Sequence, residues 1–150
     1  MTATLAHQLL IPVGTPMTAF TVNVGAELVS LFCHVIGDDD PVRHDLQAAR
    51  AAGHPERVLP PTYLMNLERQ GPDPLELLNR LGIELSRVLH GEQRFTFLGL
   101  AYVGDTLTVR PRFEDYYERK GGELRFIVRA TSILRDEVSV AQLRTVMVVR

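Results

Sequence analysis

The spacing of apolar positions changes character near residue 88. Before it, apolar residues recur at helical intervals interrupted by Gly and Pro; after it, they alternate with polar residues in long runs. Residues 18 to 24, TAFTVNV, alternate as a short strand. GAELVSLFCHVIG then places Leu28, Val29, Leu31, Phe32, Val35 and Ile36 on one broad helical face, which Gly37 terminates. DLQAARAA, residues 45 to 52, predicts a second short helix with Asp45 as cap and Gly53 as terminator. In VLPPTYLMNLERQG, Pro61 opens a helix whose Tyr63, Leu64 and Leu67 suit burial, and PDPLELLNRLG predicts a further amphipathic turn or two. The runs VLHGEQRFTFLGL, GDTLTVRPRFEDYYERKGG, ELRFIVRATSIL and VSVAQLRTVMVVR predict long strands. Short polar turns at VGD, KGG and RDE make the last three an antiparallel meander. Leu124, Phe126, Val128 and Ala130 share one face of their strand, while Arg125, Ile127 and Arg129 share the other. The fold class is therefore α+β, with an antiparallel sheet covered by helix and, in its most compact form, curved around it.

Composition narrows the picture. The 150 residues contain no linker-like or repetitive tract, so residues 1–150 read as a single domain, long enough to bury roughly two-thirds of its unfolded surface. A net charge of −2 arises from 16 basic and 18 acidic residues mixed along the chain, which argues against nucleic acid or an anionic membrane as partner. Cys33 has no second cysteine to pair with, and its apolar neighbours predict a small buried hydrophobe, in keeping with a reducing compartment. MTATLAHQLLIPVGTP has no cationic leader before its short apolar run, and no stretch approaches the roughly 18 apolar residues of a spanning helix. The expectation is a cytoplasmic protein without membrane insertion.

Candidate chemistry gathers in a few places. GDDDPVRHD, residues 37 to 45, packs three acids, a proline, an arginine and a histidine together. Asp39 and Asp40 fit a solvated turn before a helix. Asp38, Asp40 and His44 match no recognised ligand spacing, so neither a metal nor a cofactor is expected. LHGEQRF interrupts a strand with His90, Glu92 and Gln93, either as a polar patch in a substrate channel or as an internally hydrogen-bonded strand entry. His54 lies in the loop AAGHPERVLPP. Tyr116 and Tyr117 with Arg112 and Arg119 suit a nucleotide or phosphopantetheine phosphate, but mixed charge on an exposed strand is the commoner explanation.

In FCHVIGDDDPVRHD, AARAAGHPERVLPPTYL, RVLHGEQRFTF, VGDTLTV and YYERKGGELRFIV the chain resembles the MaoC-type dehydratase family, specifically its N-terminal, fatty-acid-synthase-like dehydratase branch. The likeness runs in order through nearly the whole chain after residue 18. It implies a hotdog fold, whose curved sheet wraps a central helix carried here by residues 61 to 69. Active members of the family are (R)-specific enoyl-thioester hydratases and 3-hydroxyacyl-thioester dehydratases with a loop G-D-x-N-P-x-H. In that loop, the family implies, Asp and His hold a water and move a proton at the substrate α-carbon. Gly37, Asp38 and Pro41 match; Asp40 replaces the asparagine and Arg43 replaces the histidine. A guanidinium cannot exchange a proton near neutral pH, so Arg43 cannot act as that base. The branch often carries HGEQ, matched by His90, Glu92 and Gln93, and the family places a loop like that of His54 beside the mouth of the site. It also commonly shows HRP after the aromatic pair, where this chain has Leu98, Gly99 and Leu100.

The resemblance implies an accessory, non-catalytic subunit that pairs with a sister hotdog chain carrying the complete loop and handles acyl-CoA or acyl-carrier-protein thioesters. Candidate catalytic positions are Asp38, His44 and His90; candidate substrate-binding positions are Gly37, Asp40, Arg43, His54, Glu92 and Gln93. Two alternatives stay open: a self-sufficient homodimeric hydratase or thioesterase using Asp38 with His44 or His90, and an acyl-binding module without chemistry.

Overall fold

A computed structural model of the chain describes residues 9–150; the expectation about a leader in residues 1–8 lies outside them. Strand β1 (Phe20–Asn23) leads into helix α1 (Ala26–Ile36), then the short helices α2 (Pro41–His44) and α3 (Leu46–Ala51). A helical stretch follows in three pieces: a 3₁₀ turn at Pro61–Tyr63, α4 (Leu64–Leu67), and a second 3₁₀ turn at Glu68–Gln70. Helix α5 (Glu76–Arg80) precedes the long strands β2 (Val88–Phe97), β3 (Thr106–Arg119), β4 (Leu124–Arg135) and β5 (Val138–Val149).

The strands form one antiparallel sheet in the order β1-β3-β4-β5-β2. The expected meander of the last three strands is present, and β2 pairs with β5 rather than with its sequence neighbour β3. Asp136 and Glu137, both at positive φ, close the β4–β5 hairpin as a two-residue turn. Tyr63, Leu64 and Leu67 of the central helix are buried against Leu107, Val109, Ile133 and Leu143 of the sheet. Val29 and Cys33 of α1 join the same core, whereas Leu28, Leu31, Val35 and Ile36 of the expected helical face remain exposed. Leu77 and Leu78 of α5 pack with Phe113, Ile127 and Met147 in a second core.

Two details add to the sequence reading. After Gly37, Asp40 accepts from Val42 N at 3.1 Å and Pro41 stands at the first turn, so residues 41 to 44 close into α2. The face of β4 carrying Arg129 and Ile127 is also the one turned toward the helix, because Ile127 and Ile133 enter the two cores and Arg129 bonds to helical Glu68. Among the described residues no helix is long and apolar enough to cross a membrane.

Candidate functional site

The loop after α1 is set by its own polar groups. Gly37 takes the left-handed conformation (φ 69°) that ends α1, a position favouring glycine. Asp38 follows, with Oδ1 accepting from Asp40 N at 3.1 Å and Oδ2 accepting from Arg43 Nε at 3.1 Å. Arg43 Nη1 donates to the carbonyl oxygens of Leu59 at 3.0 Å and Val58 at 3.4 Å. Val58 N in turn donates to Val42 O at 3.1 Å. Arg43 thus pins the loop to the segment that enters the central helix, and its partner is the one loop acid that the resemblance made catalytic. His44 Nε2 lies 2.7 Å from Asp38 O. A carbonyl only accepts, so that nitrogen carries the proton and is spent on holding the loop.

Asp45 caps α3 through Gln47 N and Ala48 N, and Asp40 caps α2. Among the described residues no three His, Cys, Asp or Glu side chains gather as a ligand set. Burial, and secondarily the charge of Asp38, raises the thiol pKa of Cys33 above its ordinary value, with Arg43 opposing. The thiol is therefore no ready nucleophile.

The second polar site lies under the helix. Glu68, only 7% exposed, accepts from Arg129 Nη2 at 2.8 Å and from the hydroxyl of buried Thr131. Beside this cluster, Thr145 Oγ1 donates to Gln93 Oε1 at 2.9 Å. A cavity of about 410 Å³ is lined by Glu68, Arg69, His90, Gln93 and Arg129 with apolar neighbours.

His90 and Gln93 are three apart and would face opposite ways on a regular strand. A bulge at Gly91 resets the alternation: His90 pairs with Met147, Glu92 with Val146, and Gln93 with Thr145. His90 and Gln93 both turn inward, while Glu92 falls out of phase and pairs with Arg94. Glu92 is therefore not brought to the cavity. Glycine is required at the bulge, since a Cβ there would lie 2.7 Å from Val148 Cγ2 and 3.2 Å from Val146 O. Gly91→Ala is expected to lower stability by about 1–2 kcal/mol in urea unfolding; an unchanged midpoint would show that the bulge has room for a side chain.

The remaining expected residues lie apart. His54 packs against Tyr102 with ring centroids 6.0 Å apart. Tyr117 stacks on Phe126 at 4.7 Å, with Arg119 over its ring. Arg112 pairs with Glu114 at 2.9 Å. Tyr116 donates to Glu118, and burial together with that carboxylate pushes its phenol up to about 12. At the departure from HRP, the amides of Leu98 and Gly99 both donate to Val140 O. Glu68, Arg129 and Thr131 escaped the sequence reading as a site. The signal available was an arginine sharing a strand face with Ile127.

A five-stranded antiparallel sheet laid on a central helix is the hotdog fold of the MaoC-like hydratases and dehydratases, and solved structures align with it closely. The truncated HadBC (3R-hydroxyacyl-ACP dehydratase) complex from Mycobacterium tuberculosis superposes with TM-score 0.79 at 22% identity, over 91% of this chain and 96% of that one. The ChsH1–ChsH2 complex from the same organism gives 0.71 at 21% identity, over 89% and 83%. The (R)-hydratase of A. caviae involved in PHA biosynthesis gives 0.71 at 18% identity, over 91% and 96%. The chain belongs to the family described as FAS1-like, dehydratase domain region, which matches residues 12–143. Its curated relatives include a UPF0336 protein of Saccharopolyspora erythraea, 32% identical over 128 residues, covering 85% of this chain and 81% of that protein. Another, from Streptomyces griseus, is 33% identical over 102 residues, 68% of each.

Proposed function

We propose that the chain is one hotdog unit acting as the accessory, non-catalytic subunit of an (R)-specific enoyl-thioester hydratase or 3-hydroxyacyl-thioester dehydratase, with acyl-CoA or acyl-carrier-protein substrates. The observation that carries this reading is the use made of Arg43. At the position where the active family loop has its histidine, this chain has a permanently charged side chain fastened to Asp38 and to two backbone carbonyls. Proton transfer at an α-carbon needs a group that gains and loses a proton near neutral pH, and this loop offers none in that place. A sister chain with a complete loop supplies the base; this chain supplies a wall of the acyl site and a rigid surface for pairing.

Strand β2 suits that pairing. It lies at one edge of the sheet, ten residues long, with β5 as its only neighbour among the described residues, and such an edge favours strand addition by another sheet. The similarity to HadBC and ChsH1–ChsH2, both two-subunit complexes, supports a sister subunit over a lone chain.

The test is hydration of crotonyl-CoA by the purified chain, alone and mixed with a MaoC-type hotdog protein from the same organism that carries the complete loop. Background rate alone and turnover in the mixture is the expected pattern. Turnover by the chain alone would overturn the reading, and loss of that turnover in His44→Ala or His90→Ala would identify the substitute base.

A further inference from the structure

Helix α1 presents an apolar stripe to solvent. Leu28, Leu31, Val35 and Ile36 are each 48–73% exposed, while Val29 and Cys33 on the other side of the same helix are sunk in the core. A surface helix ordinarily turns a polar face outward, and a contiguous exposed apolar stripe marks a contact surface. The steps of three and four residues from Leu28 to Leu31 to Val35 are those of a seam that takes side chains from a facing helix. Beside the stripe runs a groove of about 310 Å³, walled by Leu28, Leu31, Phe32 and Tyr63. The patch therefore carries both projecting side chains and a recess to receive them.

Its place in the fold keeps it apart from the pairing edge. Only Val24 and Gly25 separate β1 from α1, so the stripe begins at the β1 edge of the sheet, and β2 is the opposite edge. A chain added along β2 leaves α1 in water.

Charge indicates what covers it. The Arg43 clamp holds the C-terminal end of α1 to the start of the central helix, and Phe32 meets Tyr63 edge-on with ring centroids 5.5 Å apart. The two helices thus run in opposite directions, and Arg69, toward the far end of the central helix, lines the groove together with Leu28. Glu27 and Arg69 mark the N-terminal end of the stripe, His34 and Asp39 its C-terminal end. All four are exposed, and none takes part in an ion pair among the described residues. An identical patch turned about a two-fold axis near Leu31 brings Arg69 to Asp39 and Glu27 to His34, each contact occurring twice. Parallel stacking would instead set each charge against its own kind.

We infer that α1 is the contact between two copies of this chain, packed antiparallel with Leu31 of each copy in the groove of the other. The contact does not depend on the accessory-subunit reading: the crotonyl-CoA assay can fail while this dimer stands, and the reverse.

The test is sedimentation velocity of the full chain over a concentration series at low salt. A monomer–dimer equilibrium is expected. Leu31→Arg, at a position already exposed in the single chain, should keep the melting temperature of the monomer and weaken dimerisation at least about ten-fold, since it carries a charge into the apolar centre of the contact. Asp39→Arg and Arg69→Asp should each weaken dimerisation about ten-fold, because symmetry counts each repulsion twice, and the double variant, which restores opposite charges, should recover most of the loss. A chain that stays monomeric throughout would overturn the inference. So would a Leu31→Arg variant that dimerises like the parent, which would place the contact elsewhere, or a double charge variant no tighter than either single one.

Discussion

Arg129→Met is expected to lower stability by about 3–5 kcal/mol, equivalent to a fall of about 10 °C or more in melting temperature for a chain of this size. The reason lies with its partner. Glu68 is 7% exposed and its two oxygens are satisfied by Arg129 and Thr131, so removing the guanidinium leaves a carboxylate in the helix–sheet interface with a single hydroxyl for company. The effect is a property of the broken pair. Replacing both residues together, Glu68→Leu with Arg129→Met, should recover most of the loss, because a buried ion pair and an apolar pair of similar volume are close in net stability. A double-mutant cycle in urea should therefore give a coupling of about 2–3 kcal/mol. A single variant that melts with the parent chain, or two single losses that simply add, would show that the pair is not the anchor between helix and sheet.

That pair also marks where the sequence becomes hard to read. The long strands were legible because alternation is local, and the short polar turns between the last three fixed their neighbours. The cap at Asp45 and the stops at Gly37 and Gly53 were legible for the same reason. Glu68 and Arg129 are 61 residues apart and meet across a helix–sheet interface, so nothing in either segment alone predicts the other. The inward turn of both His90 and Gln93 rests on one extra residue at Gly91. A strict two-residue period would have sent one of them outward, and the odd polar interruption was the only trace. The short helix α2 was legible in principle, since an acid followed by proline is a helix start. Asp40 and Pro41 read both as a turn before a helix and as positions in the family's loop; in the structure they begin α2, after Gly37 has ended α1.

The same competition between chemistry and structure makes Arg43 the second sensitive position. Arg43→Met is expected to cost about 2–3 kcal/mol, since it strips the cation from Asp38 and the donor from Leu59 O. Both side chains of the pair are largely withdrawn from water, at 15% and 21% exposure, so solvent replaces the lost bonds only in part. Arg43→Lys should recover less than half, because a single ammonium cannot meet a carboxylate and two carbonyls spread around a planar fork. Arg43→His, which restores the residue of the active family loop, should behave like the lysine variant in urea unfolding: an imidazole can reach Asp38 but is too short to hold Val58 and Leu59 as well. Its hydration rate alone should stay at background, since Asp38 is shaped here for binding a cation and His44 already occupies the loop carbonyl. A histidine variant as stable as the parent chain would instead mean that the loop never relied on the clamp. The arginine would then be a plain loss of the base, with no structural gain to retain it.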